Sequence, residues 1–346
     1  MTTQRAMLIT GGAGFIGCHA ATHYAERGWR VVVLDDLSRR GSEINWNQLR
    51  ARGDVTCVRG DVRSPRDLTQ AFERVGAVDA VLHLAAQVAV TTSVAEPRHD
   101  FEVNAAGTFN VLEAVRAHAP RASLIYSSTN KVYGGLEHHR VVERDGRWDF
   151  DALPRGVSES EVLDFHSPYG CSKGAADQYV RDYARIYGLR TFVIRQSCIY
   201  GTRQFGVEDQ GWVAWFTIAA VLGLPATIFG DGKQVRDLLW VGDLLELYDR
   251  CLERGRGGSI YNAGGGPENR ASILEVLAEL ERQLGRSIPR ALADWRPGDQ
   301  KVFYSDNGKA AAELGWRPRT GVAEGIGALL AWVRENAPVI ARARAA

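Results

Sequence analysis

Several features that would settle a protein class at once are missing from this chain. Its five cysteines (Cys18, Cys57, Cys171, Cys198, Cys251) stand singly, with no CxxC pair and no metal-ligand spacing. A disulfide scaffold and a zinc ribbon are thereby excluded; the pattern predicts reduced thiols in a cytoplasmic protein, and no metal is expected. Runs of like charge are also absent, and Lys+Arg 42 against Asp+Glu 41 leaves a net charge of +1. Nothing electrostatic therefore points to nucleic acid or to an acidic membrane surface. The apolar stretch in "MTTQRAMLITGG" ends after a few residues, too short for a signal-peptide core or a membrane span. There is no low-complexity segment and no internal repeat.

What is present is an alternation, carried by 346 residues, enough to bury a large core. "AMLIT" (6–10), "RVVVLDD" (30–36), "DVTCVRGD" (54–61), "AVLHLAA" (80–86), "SLIYSST" (123–129) and "RTFVIRQS" (190–197) are near-continuous apolar or β-branched runs. Such runs suit strands buried on both faces. Amphipathic segments lie between them, 98–118 and 168–187 among them. The alternation predicts an α/β fold: a Rossmann-type doubly wound parallel sheet with right-handed crossovers.

After about residue 200 the rhythm changes. Residues 211–223 and 272–285 have helical patterns, 226–241 reads as strand–turn–strand, and 322–336 forms a last helix. The expectation is a smaller α/β C-terminal substrate domain that meets the sheet at the carboxyl ends of its strands, where ligands bind in open α/β sheets. The boundaries predicted are 1–200 for a dinucleotide-binding domain, with 233–258 returning to it, and 201–232 plus 259–340 for the substrate domain.

"LITGGAGFIGCHAATHYAERG" runs strand, glycine turn, helix, with Gly28 placed to end the helix. Gly12-x-Gly14-x-x-Gly17, or the wider form from Gly11, lets a pyrophosphate approach backbone N–H groups at a helix N-terminus. Glycine spacing alone is weak evidence, but an acidic residue at the end of the second strand strengthens it. Asp35 is placed for a ribose 2′-hydroxyl and would repel a 2′-phosphate, which favours NAD over NADP. Arg39 and Arg40 could argue for the phosphate, but Asp35 is nearer and a solvated loop accounts for both. Asp61 is a candidate for the adenine or, equally, a carboxylate at a helix N-terminus.

Tyr169 and Lys173 are four apart, hence on one helix face, behind Ser167 as a fitting N-cap and Pro168 as a fitting first helical residue. A phenol has a pKa near ~10 and is a poor base at neutral pH. A cation about 4 Å away is worth roughly 4 kcal/mol at an effective dielectric of about 20, or up to about 3 pKa units before desolvation. Lys173 is therefore expected to acidify Tyr169, which could then take a proton from a substrate hydroxyl. Ser127, Ser128 and Thr129, ending the fifth strand, bring hydroxyls to the same sheet edge. The Tyr-x-x-x-Lys pattern alone recurs by chance; its weight comes from the glycine turn and the hydroxyl cluster.

With these blocks together the chain resembles the extended short-chain dehydrogenase/reductase family of nucleotide-sugar enzymes. The resemblance rests on "TGGAGFIG" (10–17), "LAAQ" (84–87), "SSTNKVYG" (127–134), "YGCSK" (169–173), "VRDLLWV" (235–241) and "RPGDQ" (296–300). It implies a catalytic triad of Thr129, Tyr169 and Lys173. It implies a cofactor set, for NAD, of Gly11, Gly14, Phe15, Ile16, Gly17, Asp35, Asp36, Asp61, Val62, Leu84, Ala85, Ala86 and Asn104 with Tyr169 and Lys173. For substrate it implies Gln87, Thr92, Thr129, Asn130, Gln196, Arg203 and Gln204, with Arg236 and Arg296 as clamps on a diphosphate, to which guanidinium forks are suited. Ordinary salt bridging would also explain the two arginines, and loop hydrogen bonding would explain Gln87, Thr91 and Thr92.

Similar 4,6-dehydratases and decarboxylases carry an acid just after the catalytic threonine. Asn130 and Lys131 stand there, so epimerisation or simple reduction remains. Blocks 126–137, 163–189, 200–216 and 230–239 resemble the branch of 2-epimerases acting on CDP-sugars more closely. Cys198 departs from the asparagine common at that position. A 4-epimerase or NAD(P)-dependent reductase stays open as an alternative, as does a non-catalytic NAD-binding regulator. The resemblance also implies a homodimer or homotetramer paired through 98–118 and 168–187.

Overall fold

The computed structural model describes residues 4–296 and 299–345. The apolar runs of the first half become β1 (Ala6–Thr10), β2 (Arg30–Asp35), β3 (Val55–Arg59), β4 (Ala80–His83) and β5 (Ser123–Thr129). All of β1 and all of β2 after Arg30 are buried, as strands covered on both faces must be. Strands Arg190–Gln196 and Ser259–Ala263 complete a seven-stranded sheet. Its order is Ser259–Ala263, Arg190–Gln196, β5, β4, β1, β2, β3, and β1 pairs parallel with both β2 and β4. The strand order reverses between β1 and β4, the switch point at which such sheets open a crevice. Strand β3 stops at Arg59, so Asp61 lies past its end rather than within it.

The connecting helices are α1 (Phe15–Glu26), α2 (Ser42–Arg52), α3 (Pro65–Val75), α4 (Val90–Ala95), α5 (Pro97–Phe101), α6 (Gly107–His118) and α7 (Ser167–Tyr187). In α3, the Ser64 hydroxyl caps the backbone N–H of Asp67, Pro65 opens the first turn, and Leu68, Ala71, Phe72 and Val75 share one buried stripe. That stripe packs with Leu8, Val32, Val81 and Leu124 of the sheet. The segment expected as a helix over 98–118 is helical throughout, but a π-turn at Glu102–Ala106 is inserted between α5 and α6. Such turns interrupt helices where a side chain must be re-aimed, often at functional sites.

The chain divides into two compact units. The first comprises Met1–Val132, Ser167–Arg195 and Leu245–Tyr261; the second comprises Tyr133–His166, Gln196–Leu244 and Asn262–Ala346. These limits differ from the expected ones. Residues 133–166 join the second unit because they form a hairpin, Val141–Arg144 with Arg147–Phe150, whose neighbours are there: Trp148 N–H donates to Lys233 O, and Val157 N–H to Tyr304 O. Residues 245–261 join the first, where Arg190 donates to the carbonyls of Cys251, Leu252 and Gly255.

Within the second unit the strands expected over 226–241 form, but they do not pair with each other. Ala226–Phe229 runs parallel to Arg290–Ala293. Val235–Trp240 pairs with Arg270–Ser272, Val302–Phe303 and Cys198–Tyr200. Helix Ile273–Leu284 opens with a reciprocal capping box between Ser272 and Glu275. The last helix, Val322–Ala345, runs well past its expected end and accommodates Pro338. No helix among the described residues is long and apolar enough to cross a membrane.

Candidate active site

The glycine turn is shaped by close approach. Gly11 lies in the left-handed region (φ 69°), and a Cβ there would come within 2.6 Å of Ala85 N. A Cβ on Gly17 would collide with the Gly11 carbonyl, so helix and strand pack tighter than any side chain permits. A Cβ on Gly14, by contrast, would meet nothing but Gly11 O, at 3.1 Å. Gly14 is the N-cap of α1 and offers no side-chain cap, and the first turn holds no acidic residue. The helix therefore presents its first N–H groups to an anion from outside the chain.

Asp35 ends β2 beneath this turn and is buried. Its carboxylate accepts from Ala13 N (2.9 Å) and Leu37 N (2.9 Å). Burial pushes its carboxyl above the ordinary range, against the pull of the Leu37, Ala13 and Gly14 N–H groups. An open turn, bare helix N-terminus and a carboxylate at the end of β2 fit a dinucleotide: the turn for its pyrophosphate, Asp35 for its ribose. Asp36 is exposed and accepts from Ser38, and Asp61 is forked by Arg63 at 2.6 Å.

A chain of hydrogen bonds leads from this turn to the tyrosine. Leu84, Ala85 and Ala86 follow β4, where Thr10 Oγ1 accepts from Ala85 N. Below, His83 lies buried between Thr10 and Thr108; burial, and then the Lys173 charge, push its pKa down to about 3, so it is neutral. Asn104, inside the π-turn, holds Gln87 through both backbone groups at 3.0 Å, and its amide reaches Ser172 Oγ at 3.2 Å. Gln87, expected to line a sugar site, turns its amide inward to Ala89 O and to Asp100. Thr91 and Thr92 are exposed on α4.

Helix α7 starts at the expected residue: the Ser167 hydroxyl accepts from Gly170 N at 3.2 Å, although Ser167 itself is left-handed (φ 63°). That fixes Tyr169, which is buried; the Thr129 hydroxyl, which also reaches Asn130 Oδ1 at 3.4 Å, acts to lower its pKa. One turn on, Lys173 is buried too. Its Nζ donates to Ser127 O (2.5 Å) and lies 4.4 Å from the centroid of the Tyr126 ring. The expectation that Lys173 acidifies Tyr169 is corrected here. Burial pushes the phenol up to about 12; the Thr129 hydrogen bond and the Arg39 charge oppose the rise, and the Asp100 charge adds to it. Burial pulls the Lys173 ammonium down to about 7, against the charges of Asp100 and Asp177. Lys173 is committed to the Ser127 carbonyl, while Arg39 lies exposed in the loop after β2, as expected, and its charge is the weakest of the influences on the phenol.

Thr129, Tyr169 and Lys173 are thus brought together on the edge that carries the glycine turn, all within the first unit. The second unit holds Gln196, Arg203, Gln204, Arg236 and Arg296. Arg236 pairs with Asp299 (2.6 Å); Arg296 pairs with Asp209 (2.8 Å) and lies 3.7 Å from the Phe229 ring centroid. Gln196 and Gln204 are buried, and Arg203 is left-handed at φ 58°. Asn130 is buried beside Thr129 in the first unit. Cys198 is a neutral thiol, pushed up to about 12 by burial and by Asp237. Pro297 and Gly298 of the "RPGDQ" block lie outside the described residues.

Sequence reasoning missed the groups behind the triad. Asp177 accepts from Ser128 Oγ (2.8 Å) and is forked by Arg195 Nε (2.9 Å) and Nη2 (3.0 Å), with all three residues buried. Asp100, fully buried, accepts from Ser172, Gln87 and Asn104. Helical spacing from Lys173 to Asp177 was a usable signal; for Asp100 none existed.

Comparison with known proteins follows the same outline. Residues 7–264 match the NAD dependent epimerase/dehydratase family. The chain is 43% identical over 333 residues to the CDP-paratose 2-epimerase of Salmonella typhi, covering 94% of this chain and 98% of that one. Among solved structures it is similar to the UDP-glucose 4-epimerase of Thermotoga maritima determined with UDP-glucose (TM-score 0.83, 30% identity, 96% and 99% covered). It is similar also to the Thermus thermophilus UDP-glucose 4-epimerase complexed with NAD (TM-score 0.81, 32% identity, 95% and 99% covered).

Proposed function

This chain belongs to the NAD dependent epimerase/dehydratase family, and from that premise we propose that it inverts C2 of a CDP-sugar of the paratose/tyvelose kind. The observation that carries the reading is the buried Tyr169 phenol with buried Thr129 acting on it, and the non-acidic Asn130 and Lys131 next in sequence. It is supported by the likeness to CDP-paratose 2-epimerase over nearly the whole chain. NAD, when bound, supplies the acceptor and donor of the C2 hydride and, when oxidised, a positive charge. Gly11, Gly14 and Gly17 would admit its pyrophosphate and Asp35 its ribose.

The residues of the chain handle the proton. Tyr169 Oη takes it from the C2 hydroxyl as that carbon is oxidised to a ketone, and returns it when the other face is reduced. Thr129 donates to the phenol and so steadies the developing phenolate. Because the chain alone leaves the phenol at about 12, added positive charge is required for work near neutral pH. Arg236 and Arg296 are the proposed diphosphate clamps, each exchanging a carboxylate partner for phosphate oxygens.

We further propose a cytoplasmic homo-oligomer built on the helices that carry the exposed Phe101, Phe109, Tyr179, Ile186 and Tyr187.

The test is a panel of CDP-, UDP- and GDP-sugars deuterated at C2 or C4, followed by proton NMR. Inversion at C2 of a CDP-sugar with the deuterium retained is expected. Inversion at C4 alone, or NADH accumulating in step with product, overturns the reading. Light scattering of the same sample reads the assembly; a single-chain mass would remove the oligomer.

A further inference from the structure

We propose that Asp100 is a positioning residue of this reaction: it fixes the turn joining Tyr169 to Lys173 and keeps a negative charge behind both. The inference rests on the reading of Tyr169 and Lys173 as the acid–base pair. Three donors converge on this fully buried carboxylate, namely Ser172 Oγ at 2.5 Å, Gln87 Nε2 at 2.9 Å and Asn104 Nδ2 at 3.0 Å. Ser172 lies between Tyr169 and Lys173 on α7, and its hydroxyl also contacts Tyr169 O at 3.2 Å. Gln87 follows β4 beside the glycine turn, and Asn104 occupies the π-turn four residues after Asp100. One side chain therefore ties α5, the π-turn, the loop after β4 and α7 together.

The π-turn gives the arrangement its local cause. It changes the helical phase between α5 and α6, at the point where Asn104 must reach Gln87, Asp100 and Ser172 together. A buried carboxylate with three donors is well satisfied as a hydrogen-bonding group, but its charge is costly unless it does something beyond gluing helices. The charged groups acting here are Lys173 and His99 on Asp100, Asp100 and Arg39 on Tyr169, and Asp100 and Asp177 on Lys173. Asp177 is itself matched by Arg195. Asp100 thus raises the proton affinity of both members of the pair.

The sign of its removal follows. Without the charge, Tyr169 releases its proton at lower pH, and Lys173 loses its own at lower pH. Both limbs of the pH–kcat profile should then move down together.

The experiment uses the full chain saturated with NAD and compares pH profiles of CDP-sugar epimerisation for wild type, Asp100→Asn, Ser172→Ala and Tyr169→Phe. For Asp100→Asn we expect kcat at the optimum lower by about 10- to 100-fold, since its three donors lose their carboxylate. Both limbs should shift down by about half to one pH unit, with NAD affinity nearly unchanged. An unmoved profile with kcat within about twofold of wild type overturns the proposal. Should Asp100→Asn fail to fold, Ser172→Ala keeps the carboxylate and frees one donor. Its kcat should then fall about 3- to 10-fold at unchanged KM and unchanged pH limbs, and wild-type kcat there overturns the proposal equally. Tyr169→Phe separates this inference from the one beneath it. An active Tyr169→Phe removes the acid–base reading itself, whereas an inactive one beside an unaltered Asp100→Asn removes only the role of Asp100.

Discussion

Two kinds of ion pair, one beside Tyr169 and Lys173 in the first unit and the other at the proposed clamps in the second, hold their charges in opposite ways. In the first, Asp177 and Arg195 are 0% and 1% exposed and share two hydrogen bonds, with Ser128 as a further donor. In the second, the proposed clamps keep contact with water: Arg236 and Asp299 are 14% and 25% exposed, Arg296 and Asp209 25% and 50%. A buried pair has lost its solvation and is held by its partners alone, so its geometry is fixed. A partly exposed pair lies closer to its hydrated, separated state and can exchange partners at less cost. Acid–base chemistry needs the first arrangement, because a phenol must meet its proton within a few tenths of an ångström. Capture of a diphosphate suits the second, because the guanidinium must leave one anion for another.

The comparison breaks if the two kinds of pair respond alike to truncation. Asp177→Ala strands Arg195 in the interior and should destabilise the protein by about 3–5 kcal/mol, read from urea unfolding followed by circular dichroism. Arg236→Ala and Arg296→Ala should each cost less than about 1 kcal/mol in the same experiment. Each should instead weaken binding of CDP by about 10- to 100-fold in calorimetry, the loss of one charge-assisted fork. Clamp variants that unfold as readily as Asp177→Ala, yet bind CDP as wild type does, would show that these arginines only hold the second unit together.

How much of this was legible beforehand also divides along the same line. Strand β5 was readable to the residue, and β1 too, because strands buried on both faces write themselves as unbroken apolar runs. The glycine turn was readable because only glycine tolerates the contacts at Gly11 and Gly17. The start of α7 was readable from Ser167 and Pro168. Asp100 was not: an acid in an amphipathic helix reads as a solvated face, and only the π-turn and the three converging donors reveal otherwise. The limits of the second unit were illegible for a related reason. Its hairpin at 141–150 owes its place to partners such as Lys233, far along the chain, and no local pattern records them. The electrostatic expectation for Tyr169 went wrong because helical spacing fixes a neighbour's position but not where its long side chain points, nor how far burial outweighs its charge.

The remaining effect gives the sharpest test of how the first unit holds its charges, because its size depends on pH. Lys173 is 3% exposed, and burial brings its ammonium from 10.5 down to about 7 in the folded chain. Below pH 7 the lysine is protonated whether folded or unfolded, and the folded state bears the full burial penalty. Between about 7 and 10.5 the unfolded chain binds the proton that the folded chain has released, so stability rises with pH there and the penalty shrinks. Lys173→Met keeps the length of the side chain and removes the charge. In the absence of NAD it should be more stable than wild type at pH 6, by about 1–2 kcal/mol once the lost contacts to Ser127 O and the Tyr126 ring are set against the gain. The advantage should narrow steadily as the pH is raised towards 10, measured by urea unfolding at each pH. A variant less stable than wild type at pH 6, or a gap that does not change with pH, would mean that the site neutralises Lys173 fully through Asp100 and Asp177. The Tyr169–Lys173 edge would then hold its charges at no cost to the fold, and the contrast with the proposed clamps would rest on exposure alone.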